Sequence, residues 1–499
     1  MHIQAAFDLL FDPMLLLFMC IGVLAGILIG ALPGLSDPMA LGLAIPFTFT
    51  MEPLQALLFL LGIHFGAVYG GSITAILINT PGTPAGAAAA LDGYPLTLRG
   101  QSRKALQMSA FSAFVGALIS IVALVLFSPL LAKVALRFGP PEYFALGIFG
   151  ISVVAGVAGK SLSKALIAAS VGIFISTLGA DPQNGIERFT FGSAYLSDGI
   201  DLIAALIGLF AVSGILHQFY MRHRASGAAA ATQLSGQGLT WKEIRGSLKT
   251  MFKGGAIGSF IGALPGTGAV IASFLSYNEA VRASKKPEKY GKGELDGVAA
   301  AESGAIGTES AAMIPLLTFG IPGDVGTAII LGAMILHGIQ VGPMLFERSG
   351  DIVSGLFIGI LFLEILVLLV SWYGSRLIAK VANIPTHYLF SVITVLVVCG
   401  TFALTNNVFN VWVALIFGVL GFVMLRFSYP IPPLLLGLIL GPIIEKNFLL
   451  SMASSGGHVT EFLARPMMLA ILALALVSMF FSIKIHRDVQ SRLDKQKQA

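Results

Sequence analysis

Gly30-Ala31-Leu32-Pro33-Gly34 recurs as Gly262-Ala263-Leu264-Pro265-Gly266, the same five residues at an offset of 232, each copy set in strongly apolar sequence. Two more proline-glycine pairs, Pro81-Gly82 and Pro322-Gly323, stand in similar surroundings. Proline removes a backbone donor and glycine permits positive φ, so each pair ends one helical segment and lets the chain turn or restart. At membrane depth, irregular backbone is tolerated only where it is buried in protein or lines a wet cavity. Pro/Gly-interrupted apolar segments in matching halves of a chain point to a carrier's binding site. The four breaks are read here as that site.

Working outward, composition puts the breaks in a bilayer. The 499 residues are 56% hydrophobic and 11% charged, with a mean hydropathy of +0.88, and apolar stretches of spanning length recur from end to end. The net charge of +5 comes from basic residues clustered in short loops, which argues for membrane orientation and against nucleic-acid binding. Cys20 and Cys399 are too few for a disulfide scaffold or a thiolate metal site. No Lys or Arg precedes residue 99, so a cleavable signal with a basic first region is not expected, and the apolar run Met14 to Leu32 reads as part of the mature chain.

The doubled order predicts an all-α polytopic membrane protein built from two inverted repeats, with re-entrant hairpins and helices broken at Pro-Gly. Residues 1–220 form the first repeat, 221–239 a linker, 240–483 the second repeat and 484–499 a basic cytoplasmic tail. Ala-Lys-Val-Ala also recurs, at 132–135 and 379–382, each copy followed by a proline with aromatics behind it. Loop charge sets the orientation. Lys242, Arg245, Lys249 and Lys253 precede the second pentapeptide and Arg282, Lys285, Lys286, Lys289 and Lys292 follow it, so both flanks read as cytoplasmic. The first copy has an uncharged or acidic flank and returns to Met51-Glu52-Pro53, which reads as extracytoplasmic. The count gives two re-entrant hairpins and about eleven crossings. Lys133 and Arg137 fall outside in this arrangement, against the positive-inside rule.

The breaks carry the candidate substrate-binding residues. Leu35, Ser36 and Asp37 follow Gly34, and Thr267 and Gly268 follow Gly266. A helix starting there aims free N–H groups and its positive end into the cavity, which suits a carboxylate; the alternative is a structural turn with hydroxyl caps. Around Gly82, the residues Ser72, Thr74, Asn79, Thr80 and Thr83 offer neutral donors and acceptors. Packing by small residues, with hydroxyls bonded to their own backbone, is the other reading. Thr318, Gly323 and Thr327 are the corresponding candidates at the fourth break.

A charge at the centre of a membrane helix costs about 2.5 to 3.5 kcal/mol on insertion scales, so each ionisable residue there is informative. Asp37, Glu302 and Asp324 are the candidate ion-coupling residues, for a proton or sodium; alternatively the hairpin flanks reach the interface and these carboxylates, with Glu309, are solvated. His64 reads more readily as a satisfied core histidine than as a ligand. No metal ion and no organic cofactor is expected. Strings typical of intramembrane proteases are absent, which argues against an enzyme, and no phosphate-cradling Gly-x-x-x-x-Gly-Lys-Ser/Thr occurs, which argues against an ATP-driven pump. An ion or anion channel stays open as the alternative.

Over nearly its whole length the chain resembles the large membrane subunit of the tripartite tricarboxylate transporters. The resemblance is carried by the first pentapeptide, by Tyr69-Gly70-Gly71-Ser72-Ile73-Thr74-Ala75-Ile76-Leu77-Ile78-Asn79-Thr80-Pro81-Gly82, by Leu91-Asp92-Gly93-Tyr94-Pro95-Leu96 and by Phe138-Gly139-Pro140-Pro141-Glu142-Tyr143-Phe144. Arg188 to Gly192, Asp198 to Asp201 and Met313 to Gly323 resemble family strings as well. The resemblance implies ion-gradient-driven uptake of small carboxylates such as citrate across a bacterial inner membrane. It also implies two partners, a small four-helix membrane subunit and a periplasmic solute-binding protein. The chain departs from the family pattern at Ser36-Asp37, where glycine-proline is usual, at Asp324, where a small neutral residue is usual, and after Glu302, where an Asn-Asn pair is missing. An added carboxylate repels a highly anionic substrate unless a proton or cation neutralises it, so citrate itself is not the assigned substrate.

Overall fold

The computed structural model describes residues 12–32, 35–157, 161–181, 184–222, 236–265, 268–381, 394–395, 397–402, 406–458, 460 and 464–477. Most of the expected linker, and all of the expected basic tail, lie outside these residues.

The fold is laid on one buried helix. Helix α1 (Pro13–Gly30) starts at Asp12, whose carboxylate accepts from Met14 N, with Pro13 at the first position where no donor is needed. A short second helix, α2 (Asp37–Ala44), follows the first break and passes through a 3-10 stretch, Ile45–Thr50, to α3 (Pro53–Ile78). With 26 residues, α3 is roughly 39 Å long at 1.5 Å per residue, enough to cross a bilayer core, and its apolar span is buried on all sides. It ends at Asn79, whose φ of 54° is left-handed, and the Pro81-Gly82 break follows.

The next helices are α4 (Ala87–Leu98), α5 (Ser102–Ala135), α6 (Pro140–Val157) and α7 (Leu162–Ser176). A hairpin of β1 (Gly179–Ala180) and β2 (Glu187–Arg188) leads to α8 (Leu202–Tyr220), which contains a π-helical stretch, Ile207–Val212. The second half opens with α9 (Trp241–Gly262), started by a Thr240–Glu243 capping box, and α10 (Gly268–Ala283). After them come α11 (Leu295–Ile306), α12 (Glu309–Phe319), α13 (Val325–Leu336) and α14 (Met344–Arg348). The chain continues as α15 (Gly350–Val381), α16 (Val408–Arg426), α17 (Ile431–Ser454) and α18 (Pro466–Val477).

The all-α membrane architecture is observed. Among the described residues seven helices are long and apolar enough to cross a membrane, fewer than the eleven crossings expected. Several apolar segments are too short to span alone: α7 and α13 have 15 and 12 residues, and α11 and α12 are parted at Gly307-Thr308.

The doubled sequence has a counterpart in packing. On α1, a Cβ added at Gly22, Gly26 or Gly30 would collide with the backbone of Phe59, Ile63 and Ala67 on α3. On α9, a Cβ at Gly254, Gly258 or Gly262 would strike Ala300 with Ser303, then Gly304, then Thr308. The two glycine stripes are related by the same offset of 232 as the pentapeptides, and Phe59, Ile63 and Ala67 correspond to residues 300, 304 and 308 at a second offset of 241. That second offset also carries Pro81-Gly82 onto Pro322-Gly323. It holds for contacts too: a Cβ at Gly82 would press on Gly71, and one at Gly323 on Ala312. Small residues at i and i+4 let the helix backbones touch, which is how helices associate without a hydrophobic driving force between them.

The halves are tied together at several points. Asp92 is fully buried and accepts from Gly293 N at 2.7 Å, Glu294 N at 2.8 Å and Tyr277 Oη at 2.9 Å. Lys104 Nζ on α5 lies 2.7 Å from Glu243 at the start of α9. Arg188 in the β-hairpin makes a two-pronged pair with Glu445 on α17 and lies 3.6 Å from Asp181.

Candidate functional site

Three helix starts, two of them following Pro-Gly breaks, meet on the middle of α3. Asp37 opens α2 after the first break, Glu309 opens α12 after Gly307-Thr308, and Asp324 caps α13 after the fourth break. Each carboxylate sits at the positive end of its helix, where an anion is favoured. All three surround His64, which is 1% exposed, as is Glu309.

His64 Nδ1 lies 2.9 Å from Asp37 Oδ1, and Nε2 lies 2.7 Å from Glu309 Oε2. The second approach is a close charge contact, because neither Nε2 nor Oε2 makes a well-directed hydrogen bond. Asp324 completes the group: a donor atom from each of His64, Glu309 and Asp324 lies within 4.8 Å of the others. Asp324 Oδ1 accepts from Thr327 N at 2.7 Å and from Thr327 Oγ1 at 2.8 Å. Gly326 backs the imidazole so closely that a Cβ there would enter the ring. Glu364, on α15, is 2% exposed, lies in electrostatic reach of His64 and Glu309, and leaves its Oε1 unpaired.

A second buried group lies farther along α3. Glu302, on α11, is 1% exposed and sits beside Ser72 on α3 and Ser109 on α5, with the Tyr69 ring next to it and Ser371 of α15 near Tyr69. Glu302 Oε2, Ser109 Oγ and Ser371 Oγ have no well-directed hydrogen bond among the described residues. This group offers only oxygens. Glu302 and Glu309 are therefore buried residues, and the reading of them as solvated flanks is corrected: α11 packs against α5, α9 and α3, and α12 against α5 and α9.

The candidate substrate residues divide by environment. Asn79 and Thr80 are exposed at the end of α3, Pro81 and Gly82 are half-buried, and Gly82 packs on the carbonyl of Gly30. The second break therefore touches the end of α1. Ser72 is buried next to Glu302. Thr74, Thr83 and Thr318 are buried with hydroxyls donated to the carbonyls of Gly71, Val68 and Ile314. Thr327 is occupied by Asp324. Leu35 is core, Ser36 is half-buried with no side-chain cap bond, and Gly323 is buried against Ala312. Gly268 has a φ of +66° and open space around it. Gly34, Gly266 and Thr267 lie outside the described residues.

Sequence reasoning set His64 aside as a core histidine and passed over Glu364. The signal for Glu364 was present as a lone carboxylate in Leu363-Glu364-Ile365-Leu366, where an unpaired charge is costly. For His64 the signal was three distant carboxylates, which only the fold brings together.

A cavity of about 140 Å³ opens between α9 and α10, lined by Lys249, Lys253, Ser276, Glu279, Tyr290 and Asp296. None of the break residues lines it, and Lys253 pairs with Glu279 across 3.6 Å.

Comparison with known proteins agrees with the sequence resemblance. The profile of the "Tripartite tricarboxylate transporter TctA family" matches residues 16–436. A protein of Agrobacterium vitis described as "Uncharacterized 52.8 kDa protein in TAR-I ttuC' 3'region" is 35% identical over 491 residues, covering 98% of this chain and 97% of its own. A second protein of that organism, "Uncharacterized protein in TAR-II ttuC' 3'region", is 35% identical over 235 residues, 46% of this chain and 97% of its own. No solved structure matches.

Proposed function

Because the chain belongs to the tripartite tricarboxylate transporter TctA family, we propose that it is the large membrane subunit of a secondary carrier that takes up small carboxylates, driven by an ion gradient. In this reading it sits in a bacterial inner membrane, receives substrate from a periplasmic solute-binding protein and works with a small four-helix subunit. The two repeats face in opposite senses, and their hairpins bring the breaks to the site.

One observation carries the proposal. Left-handed, proline-interrupted backbone at Asn79 to Gly82 ends a fully buried span and packs on the end of α1, leaving Asn79 and Thr80 uncovered. Neutral amides and hydroxyls at such a break suit a carboxylate. The coupling cation, a proton or sodium, is assigned to Glu302 with Ser72 and Ser109, because one carboxylate among hydroxyls is an all-oxygen set. Asp37 and Asp324, expected in the same role, gather around His64 instead of Glu302.

The test is uptake into proteoliposomes holding both membrane subunits, with the soluble receptor outside and a panel of labelled carboxylic acids. Saturable uptake that needs the receptor and an imposed sodium or proton gradient supports the proposal. Non-saturating flux without receptor or gradient contradicts it.

A further inference from the structure

We infer that His64, Glu309 and Asp324 form a binding site for a first-row divalent cation, with Asp37 as the outer partner that orients the imidazole. The inference concerns binding alone and stands whether or not the chain transports carboxylates.

Each inward-facing atom belongs to a group anchored from behind. Asp37 Oδ1 lies 2.9 Å from His64 Nδ1, which orients the ring and turns Nε2 toward Glu309 Oε2. A carboxylate behind a ligating histidine is the usual outer partner in such sites. Thr308 Oγ1 donates to Glu309 Oε1 at 3.4 Å, leaving Oε2 turned to Nε2. Thr327 holds Asp324 Oδ1 through its backbone and its hydroxyl, leaving Oδ2.

Two independent observations point to a ligand. First, His64 Nε2 and Glu309 Oε2 are both buried and meet each other at 2.7 Å with poor hydrogen-bond direction, so neither has a well-directed partner. Second, three carboxylates share one imidazole in a core that is otherwise apolar, with Glu364 adding a fourth acidic group near Glu309. Buried carboxyl groups need a proton or a cation to neutralise them, and a divalent ion does so at one point. Bond lengths near 2.0–2.2 Å put neighbouring ligand atoms roughly 3 to 4 Å apart, so side-chain rotations must part Nε2 and Oε2 slightly from 2.7 Å and draw in the spread of up to 4.8 Å.

The donor set fixes the class of ion. Sodium, magnesium and calcium favour oxygens, whereas one imidazole with two carboxylates suits manganese, iron, cobalt or zinc. Among the four residues only Asp324 is partly exposed, so the site opens at the fourth break. Sequence alone gave no such site, since its donors come from positions 37, 64, 309 and 324.

The experiment uses the purified full-length chain in nanodiscs, stripped with chelator, loaded with Mn²⁺ or Zn²⁺ and passed through gel filtration. Retained metal is measured by mass spectrometry, and the Mn²⁺ sample is examined by electron paramagnetic resonance for coupling to an imidazole nitrogen. The wild type retains one ion per chain with nitrogen coupling, and excess Na⁺ or Mg²⁺ does not displace it. His64→Gln and Glu309→Gln lose the ion, Asp37→Asn binds about 10- to 100-fold more weakly, and the exposed Glu347→Gln binds as the wild type does. Wild-type protein that retains no Mn²⁺ or Zn²⁺ overturns the inference and leaves His64 as an imidazolium clamped between carboxylates. So does metal retention, without nitrogen coupling, that survives His64→Gln in monodisperse protein.

Discussion

His64 Nδ1 stands 2.9 Å from Asp37 Oδ1, so the segment after the first break is pinned to the centre of a span whose most apolar stretch is wholly buried. The other side of the same imidazole faces Glu309, from the second half of the chain. One side chain therefore joins both halves.

That junction is energetically coupled. Removing His64 leaves buried carboxylates without their partner, and removing Asp37 leaves a buried imidazole N–H without its acceptor. A double-mutant cycle of Asp37→Asn and His64→Gln, read by thermal unfolding in detergent, is expected to give a coupling of roughly 1 to 3 kcal/mol. Additive losses would show that the pair is not a unit.

Glycines at the breaks differ in what they carry. A Cβ at Gly82 would collide with the Gly30 carbonyl, so Gly82→Ala is expected to lower the yield of folded protein. Gly268 has open space around it and only a φ of +66° to maintain, so Gly268→Ala is expected to cost roughly 1 to 2 kcal/mol and leave the chain folded. Fluorescence-detected gel filtration compares the two, and equal yields would refute the packing argument.

The proposed opposed orientation of the repeats predicts which side each hairpin faces. Cysteines introduced as Glu52→Cys and Lys285→Cys, both exposed positions, in a background lacking Cys20 and Cys399 are expected to react with an impermeant thiol reagent from opposite sides. Labelling of both from one side contradicts the inverted arrangement.

The Lys104–Glu243 pair gives a pH signature outside the spans. Partial burial pulls the Glu243 carboxyl upward, but the Lys104 ammonium and the Thr240 cap outweigh it and hold the group below its ordinary value of 4.5. A depressed folded value adds stability above the unfolded value and loses it as pH falls through the folded one. Wild type is therefore expected to exceed Glu243→Gln at neutral pH by no more than about 1 kcal/mol, and to lose that margin as pH falls below 4.5. Thermal unfolding at pH 7 and pH 4 measures it.

Much of this was legible in the sequence. Proline and glycine act locally, so the four breaks could be placed without tertiary information, and the pentapeptide offset of 232 recurs in the glycine stripes of α1 and α9. Asp37 and Asp324 were visible as departures from a family pattern. What could not be read was which acidic residues meet, because Glu302 and Glu309 are seven residues apart yet join different clusters around α3. Nor could hydroxyls free for a ligand be told from those donated to the backbone, as at Thr74, Thr83 and Thr318. That distinction depends on rotamers set by neighbours distant in sequence.

The central claim is cation-coupled carriage with Glu302 at the coupling site. Its most direct test is carboxylate uptake in proteoliposomes with the sodium and pH gradients imposed separately, wild type against Glu302→Gln, both confirmed as folded by gel filtration. The account predicts saturable wild-type uptake that follows one of the two gradients, and a variant whose uptake no longer responds to that gradient. Identical gradient dependence in wild type and Glu302→Gln would contradict it.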